Sequence, residues 1–246
     1  RILPINWSTI IRGNFIRHFI YGKEAKKKLS KLSISLGGGG NHILLYFLVR
    51  KLKPNTVVET GVAAGWSSLA ILRALRKNGN GKLYSSDFPY FRLENPEQYI
   101  GYLAKDEVNK INWFLDIRGD DLAIPEILKR IGSDSIDLIH YDSDKSYSGR
   151  DKVLKTLHPK INPKTIVIFD DIQDNLHFKD LTEKTKEDYC ILEFKGKYVG
   201  ILGVKFLLEM TTNTTNIIKN LIIKEHWKLL LQDLQVLLVF LYVWCF

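Results

Sequence analysis

The chain has 246 residues, of which 45% are hydrophobic and 26% charged. This is an ordinary globular mix, enough for one α/β domain with a full core and extra helices at its ends. Its two cysteines, Cys190 and Cys245, lack metal-type spacing and argue against a disulfide framework, so a reducing, cytoplasmic setting is the simplest reading. Much of the formal net charge of +9 lies in Lys23–Lys31. A basic run can draw nucleic acid, anionic lipid or an acidic partner. A solvated helix face is its commoner origin, and no aromatic residue interleaves here to stack on single-stranded bases.

The chain begins at Arg1 rather than at methionine, and Ile2–Ile20 is broken by Arg12, Arg17 and His18, unlike a signal peptide. Residues 1–40 read as a basic, helical N-terminal extension that ends in the four-glycine break Gly37–Gly40. Residues 41–208 read as the main domain. Asn41 is placed to cap a helix over His42–Leu52, which Pro54 closes. Strands and helices then alternate. Strands are expected at Thr56–Thr60, Lys82–Ser86, Asn112–Ile117, Ile136–Tyr141 and Thr165–Phe169. Helices are expected at Ser67–Lys77, at Ile124–Ile131 starting near Pro125, and at Tyr147–Leu157. Tyr189–Phe194 and Val199–Phe206 read as a hairpin about Lys195-Gly196-Lys197. Alternation of this kind implies a doubly wound, mostly parallel sheet covered on both faces, with an antiparallel edge. Residues 209–246 form an apolar, helical tail.

The richest stretch is Val57-Val58-Glu59-Thr60-Gly61-Val62-Ala63-Ala64-Gly65-Trp66-Ser67-Ser68. An apolar strand ends in an acid and turns through two glycines into a helix. Gly61 and Gly65 suit a backbone passing tightly under a ligand, and the next helix offers it free N–H groups. The spacing is E-x-G-x-x-x-G, not the dinucleotide fingerprint G-x-G-x-x-G. Acids stand at or just after several strand ends: Glu59, Asp87, Asp120, Asp142, Asp170 and Asp171. In such sheets the ligand lies beyond those ends. Acids converging there need a cation, a sugar hydroxyl or an amine, or they repel one another.

Gly61-Val-Ala-Ala-Gly65-Trp-Ser67 resembles the G-x-x-x-G-Y-S loop of class I S-adenosylmethionine (SAM)-dependent O-methyltransferases of the catechol and caffeoyl-CoA type. Asp142-Ser-Asp144-Lys145-Ser-Tyr147 resembles their D-x-D-K-x-x-Y element, and Phe169-Asp170-Asp171-Ile172 their closing acidic pair. The pattern from about Gly37 to Phe206 is similar to methyltransferase family 24. The resemblance implies a Rossmann-like, seven-stranded sheet of order 3-2-1-4-5-7-6, with SAM as cofactor. It assigns Glu59, Gly61 and Gly65 to the SAM loop and Ser67 to the methionyl carboxylate. Asp87 falls to the ribose hydroxyls and either Asp120 or Asp121 to the adenine amino group. Asp142 borders the cofactor.

The same resemblance makes Asp142, Asp170 and Asp171 ligands of Mg²⁺ or another divalent cation, a donor set suited to hard ions. It makes Lys145 the general base for a hydroxyl acceptor, with Asp142 beside it in the catalytic pair. The acceptor class implied is a small molecule or sugar. In the competing reading no metal binds: Asp142 and Asp171 cap helices, and Lys145 pairs with a carboxylate to offset repulsion. A metal-independent methyltransferase or a non-catalytic SAM- or nucleic-acid-binding protein would fit that reading. The D/N-P-P-Y/F element of base-modifying enzymes is absent, which argues against nucleobase methylation.

Other features are given plainer roles. His42, His140, His158 and His177 make no H-x-x-x-H pattern, and His140 reads as a core or cofactor-adjacent residue rather than a ligand. Tyr90, Phe91, Tyr99 and Tyr102 either wall an acceptor pocket or simply pack. The clean apolar run Val236–Phe246 has 11 residues, against the roughly 20 that span a bilayer. Docking on the core or pairing of two subunits ranks ahead of contact with a membrane surface.

Overall fold

The computed structural model of the protein describes residues 2–3, 21–36, 38–39, 41–90, 92–110, 112–194 and 196–203. The expected tail over 209–246 lies outside these residues, as do most of 1–20. Among the described residues no helix is long and apolar enough to cross a membrane.

The elements in chain order are β1 (Ile2–Leu3), α1 (Tyr21–Leu29), α2 (His42–Leu52), β2 (Thr56–Thr60), α3 (Trp66–Asn78), β3 (Lys82–Ser86), β4 (Asn112–Asp116), α4 (Asp120–Ile131), β5 (Leu138–Tyr141), α5 (Tyr147–Leu157), β6 (Ile166–Phe169), α6 (His177–Thr185), β7 (Tyr189–Phe194) and β8 (Lys197–Leu202). They build one sheet in the order β1-β7-β8-β6-β5-β2-β3-β4. Without β1 this is the expected seven-strand order. β1 is an addition, a two-residue strand that pairs parallel with β7 in a segment expected to be helical. β8 runs antiparallel to both β6 and β7.

The central strands are buried on both faces and mostly apolar, with Glu59 in β2 and His140 in β5 as the buried ionisable exceptions. Alternate residues feed two cores. Val57, Leu83, Leu138, Ile166 and Ile168 pack with Ala25 of α1, Leu44, Leu45 and Val49 of α2, and Leu69–Leu75 of α3. Val58, Tyr84, Ile139, Val167 and Phe169 pack with Ile124, Ile127 and Ile131 of α4, Val153 and Leu157 of α5, and Phe178 of α6. The basic run is therefore one face of a helix whose other face docks on the domain. Lys23, Lys26 and Lys27 are exposed, whereas Lys28 donates to the Tyr102 carbonyl at 3.0 Å and to Asp106 at 2.9 Å.

Several local expectations shift. α4 starts at Asp120 after Gly119 (φ 84°), and Pro125 lies in its second turn instead of opening it. Two acids in the first turn favour that earlier start through the helix dipole. Asn41 occupies the N-cap position of α2, but its side chain makes no capping bond. The cap of α5 is Ser146, which accepts from Gly149 N at 3.0 Å, so Asp142 does not fill that position; Asp171 precedes the short turn Ile172–Asp174 but its side chain makes no capping bond.

Candidate functional site

The loop after β2 is held by its neighbours. Gly61 (φ 81°) presses on the backbone after β5: a Cβ there would lie 2.4 Å from the Asp142 carbonyl oxygen. Gly65 (φ 87°) abuts Gly101, whose N–H donates to the Ala63 carbonyl at 2.8 Å. The Leu103 N–H donates to the Ala64 carbonyl at 3.0 Å. Both glycines are thus required by close backbone approach within the protein. The connection after β3, where Tyr99 and Tyr102 pack on the core, braces the loop.

Asp87 follows β3 and turns into this loop. Its carboxylate accepts from the N–H groups of Val62 (3.0 Å), Ala63 (2.6 Å) and Phe88 (2.6 Å). Burial nevertheless raises its pKa above the ordinary carboxylate value, against the lowering by those three donors. Ser67 sits half-buried in the first turn of α3. Glu59 is fully buried; its Oε2 accepts from Ser68 Oγ at 2.6 Å and Ser85 Oγ at 2.8 Å. Glu59 thus lies beneath the loop, among side chains.

Of the two adenine candidates, the structure brings only Asp120 inward. It accepts from Ser86 Oγ and Ser143 Oγ, both at 2.6 Å, tying β3, α4 and the loop after β5 together. Asp121 is exposed and pairs with Lys152 at 2.6 Å.

On the opposite sheet face, Glu59, His140, Asp142 and Asp170 converge. β2 and β5 pair Glu59 with His140 directly, and the imidazole Nδ1 stands 3.7 Å from Glu59 Oε1. That is an ion-pair distance, too long for a hydrogen bond. Burial pulls the His140 pKa down, but Glu59, Asp142 and Asp170 together leave it raised. Asp142 is pushed up to about 6 by burial, against the pull of His140 and Lys145. Asp170 Oδ1 accepts from Asn41 Nδ2 at 2.8 Å. One donor atom each from His140, Asp142 and Asp170 lie within 4.8 Å of one another, a group able to hold a metal ion.

Asp171, expected as the third ligand, stands outside that trio. Its residue has φ 51°, and its carboxylate meets Lys197 at 2.9 Å and Lys145 at 3.5 Å. Those lysines hold its pKa below the ordinary value, against burial, which raises it. Lys145 also bonds Asp142 Oδ1. Beneath the pair, fully buried Arg150 donates to the carbonyls of Asp170 (3.0 Å) and Asp171 (2.8 Å). Sequence reasoning gave Asn41 to the helix cap, His140 to the core or the cofactor's border, and Ser143 no role. For His140 the signal was strand parity: two residues before Asp142, it must share that residue's face.

Residues 58–172 match the Methyltransf_24 family model, a methyltransferase domain. Among solved structures, the O-methyltransferase from Bacillus cereus, in complex with SAH, is similar at a TM-score of 0.57 and 12% identity, over 79% of this chain and 93% of its own. The SAH-bound methyltransferase PaMTH1 from Podospora anserina gives 0.54 and 15%, over 82% and 98%. The O-methyltransferase TomG from Streptomyces achromogenes, in complex with SAM, gives 0.52 and 15%, over 78% and 96%. No curated protein matches the sequence. Residues 58–172 thus resemble a methyltransferase domain, and the described residues share the class I, Rossmann-like fold of these solved structures.

Proposed function

We propose that the chain transfers the methyl group of SAM to a hydroxyl of a small molecule or sugar. The observation that carries this reading is the Asp87 carboxylate, half-buried at the end of β3 and fixed against the glycine loop by the N–H groups of Val62, Ala63 and Phe88. Ribose hydroxyls would donate to that carboxylate, as they do to an acid at the equivalent place in dinucleotide folds. Ser67 and the N-terminal N–H groups of α3 would hold the methionyl carboxylate. The similar structures named above are in complex with SAM or SAH, which supports the choice of cofactor.

Bound SAM supplies an activated methyl on a sulfonium. The residues of this chain align the acceptor with it, so that much of the entropic cost falls on binding. Lys145, between Asp142 and Asp171, would take the hydroxyl proton as the neutral amine, and a divalent cation at the Asp142 and Asp170 carboxylates would lower that hydroxyl's pKa. A second reading needs no metal: Lys145, held by Asp142 and Asp171, only orients the acceptor. Full turnover in EDTA would select it.

Calorimetry with SAM and SAH on the folded chain tests the main reading. Micromolar uptake that falls at least about tenfold in Asp87→Ala is expected, since a charge-assisted hydrogen bond contributes roughly 1.5–3 kcal/mol. Failure of the folded protein to take up either compound ends it.

A further inference from the structure

His140 is the chemical oddity of the site. A site for Mg²⁺ or Ca²⁺ needs oxygen donors alone. Here a histidine only 1% exposed stands among carboxylates, and among the described residues neither ring nitrogen has a hydrogen-bond partner. The surroundings are arranged around that ring. Glu59 is fixed through Oε2 by two serine hydroxyls, which leaves Oε1, itself unpartnered, facing His140 Nδ1. A carboxylate behind a histidine in this way is what orients a metal-ligating imidazole and sets its tautomer. Asp170 is steadied by Asn41 through Oδ1, and Asp142 by Lys145 through its own Oδ1, so each carboxylate keeps its other oxygen for an ion. Asp171, the remaining acid, is neutralised by two lysines.

We infer that His140, Asp142 and Asp170 form a mixed nitrogen–oxygen site for a divalent first-row transition ion such as Mn²⁺, Co²⁺ or Zn²⁺. Glu59 is its positioning residue, and Asp171 is not a ligand. Imidazole donors suit these ions, whereas Mg²⁺ keeps to oxygen and water. The three donors, within 4.8 Å, need only small rotamer changes to close on one ion, since two ligands at about 2.1 Å from a metal lie at most about 4.2 Å apart. The inference deepens the methyl-transfer reading and rests on it only for what the ion does.

The test uses the full chain after EDTA dialysis, with MnCl₂, ZnCl₂ and MgCl₂ as probes, and needs no substrate. Calorimetry should give one equivalent of Mn²⁺ or Zn²⁺ bound at least about tenfold more tightly than Mg²⁺. Electron spin echo spectra of the Mn²⁺ form should carry the ¹⁴N modulation of a bound imidazole, and His140→Gln should remove it. Glu59→Gln keeps acceptors for the two serines, so it should fold while losing about 10- to 100-fold in Mn²⁺ affinity. Asp170→Asn should weaken Mn²⁺ strongly, and Asp171→Asn should not. Mn²⁺ bound without nitrogen coupling, equal affinity for Mg²⁺, or an Asp171→Asn loss matching that of Asp170→Asn would each overturn the assignment. So would the absence of metal uptake: with normal SAH uptake, His140 would serve only as a buried counter-charge and the methyl-transfer reading would stand. Loss of SAH uptake with intact Mn²⁺ binding would do the reverse.

Discussion

Asn41 Nδ2 donates to Asp170 Oδ1 at 2.8 Å, joining the start of α2 to the end of β6 across 129 positions of chain. Both residues are buried. Asn41→Ala should cost about 1–3 kcal/mol, because a buried carboxylate loses a donor. Asn41→Asp should cost more by adding a like charge. Urea midpoints of the metal-free chain measure both; an Ala variant as stable as the parent would make the contact incidental.

Gly61 and Gly79 separate two reasons for glycine. Both have φ near 80°, but a Cβ on Gly61 strikes the Asp142 carbonyl, whereas one on Gly79 meets nothing within 4 Å. Gly79→Ala should therefore cost only the left-handed strain, about 1–2 kcal/mol. Gly61→Ala should cost clearly more and abolish SAM uptake. Equal urea midpoints for the two variants would refute the close-approach argument.

His177 predicts an acid-side weakness. It is buried against the rings of Phe169 and Tyr147, and burial together with nearby Arg150 lowers its pKa. The folded state then binds this proton less readily than the unfolded one. The contribution is full above the unfolded value of about 6.5 and is lost as pH falls through it towards the folded pKa. His177→Phe should flatten the decline in melting temperature between pH 7 and 5. An unchanged slope would clear this residue.

Lys145 should act on rate more than on cofactor binding. With whichever hydroxylated acceptor a panel of catechols and sugars identifies, Lys145→Met should lower kcat by about 10²–10⁴, the range for a general base. SAH affinity by calorimetry should stay within about threefold. A kcat near that of the parent would leave Lys145 an orienting charge.

The fold was legible because its signals are local. Ile166–Phe169 is an unbroken apolar run, Thr56–Thr60 is β-branched apart from Glu59, and Gly65 and Gly79 bracket α3 as glycines bracket helices. The outlines of the site were legible for the same reason, since acids after strand ends converge by topology. What the chain does not write locally was missed. An asparagine before a helix looks like a cap; only the packing of α2 against β6 turns Asn41 to Asp170. α6 offers few apolar residues at helical spacing, with Phe178 and Leu181 as its core contacts, so its period is faint. Asp170 and Asp171 are neighbours in sequence, but the left-handed turn at Asp171 sends their carboxylates to different partners.

The last described strand enters the sheet between its predecessors instead of joining at the rim. β7 meets β6 only through β8, and Lys197 at the start of β8 joins Lys145 in neutralising Asp171. A nascent chain leaving the ribosome thus carries an unfinished sheet, with its acidic rim only partly compensated, until residue 202 has emerged. Stalling or truncation before that point should yield a species prone to capture by chaperones, because this contact is non-local and forms late.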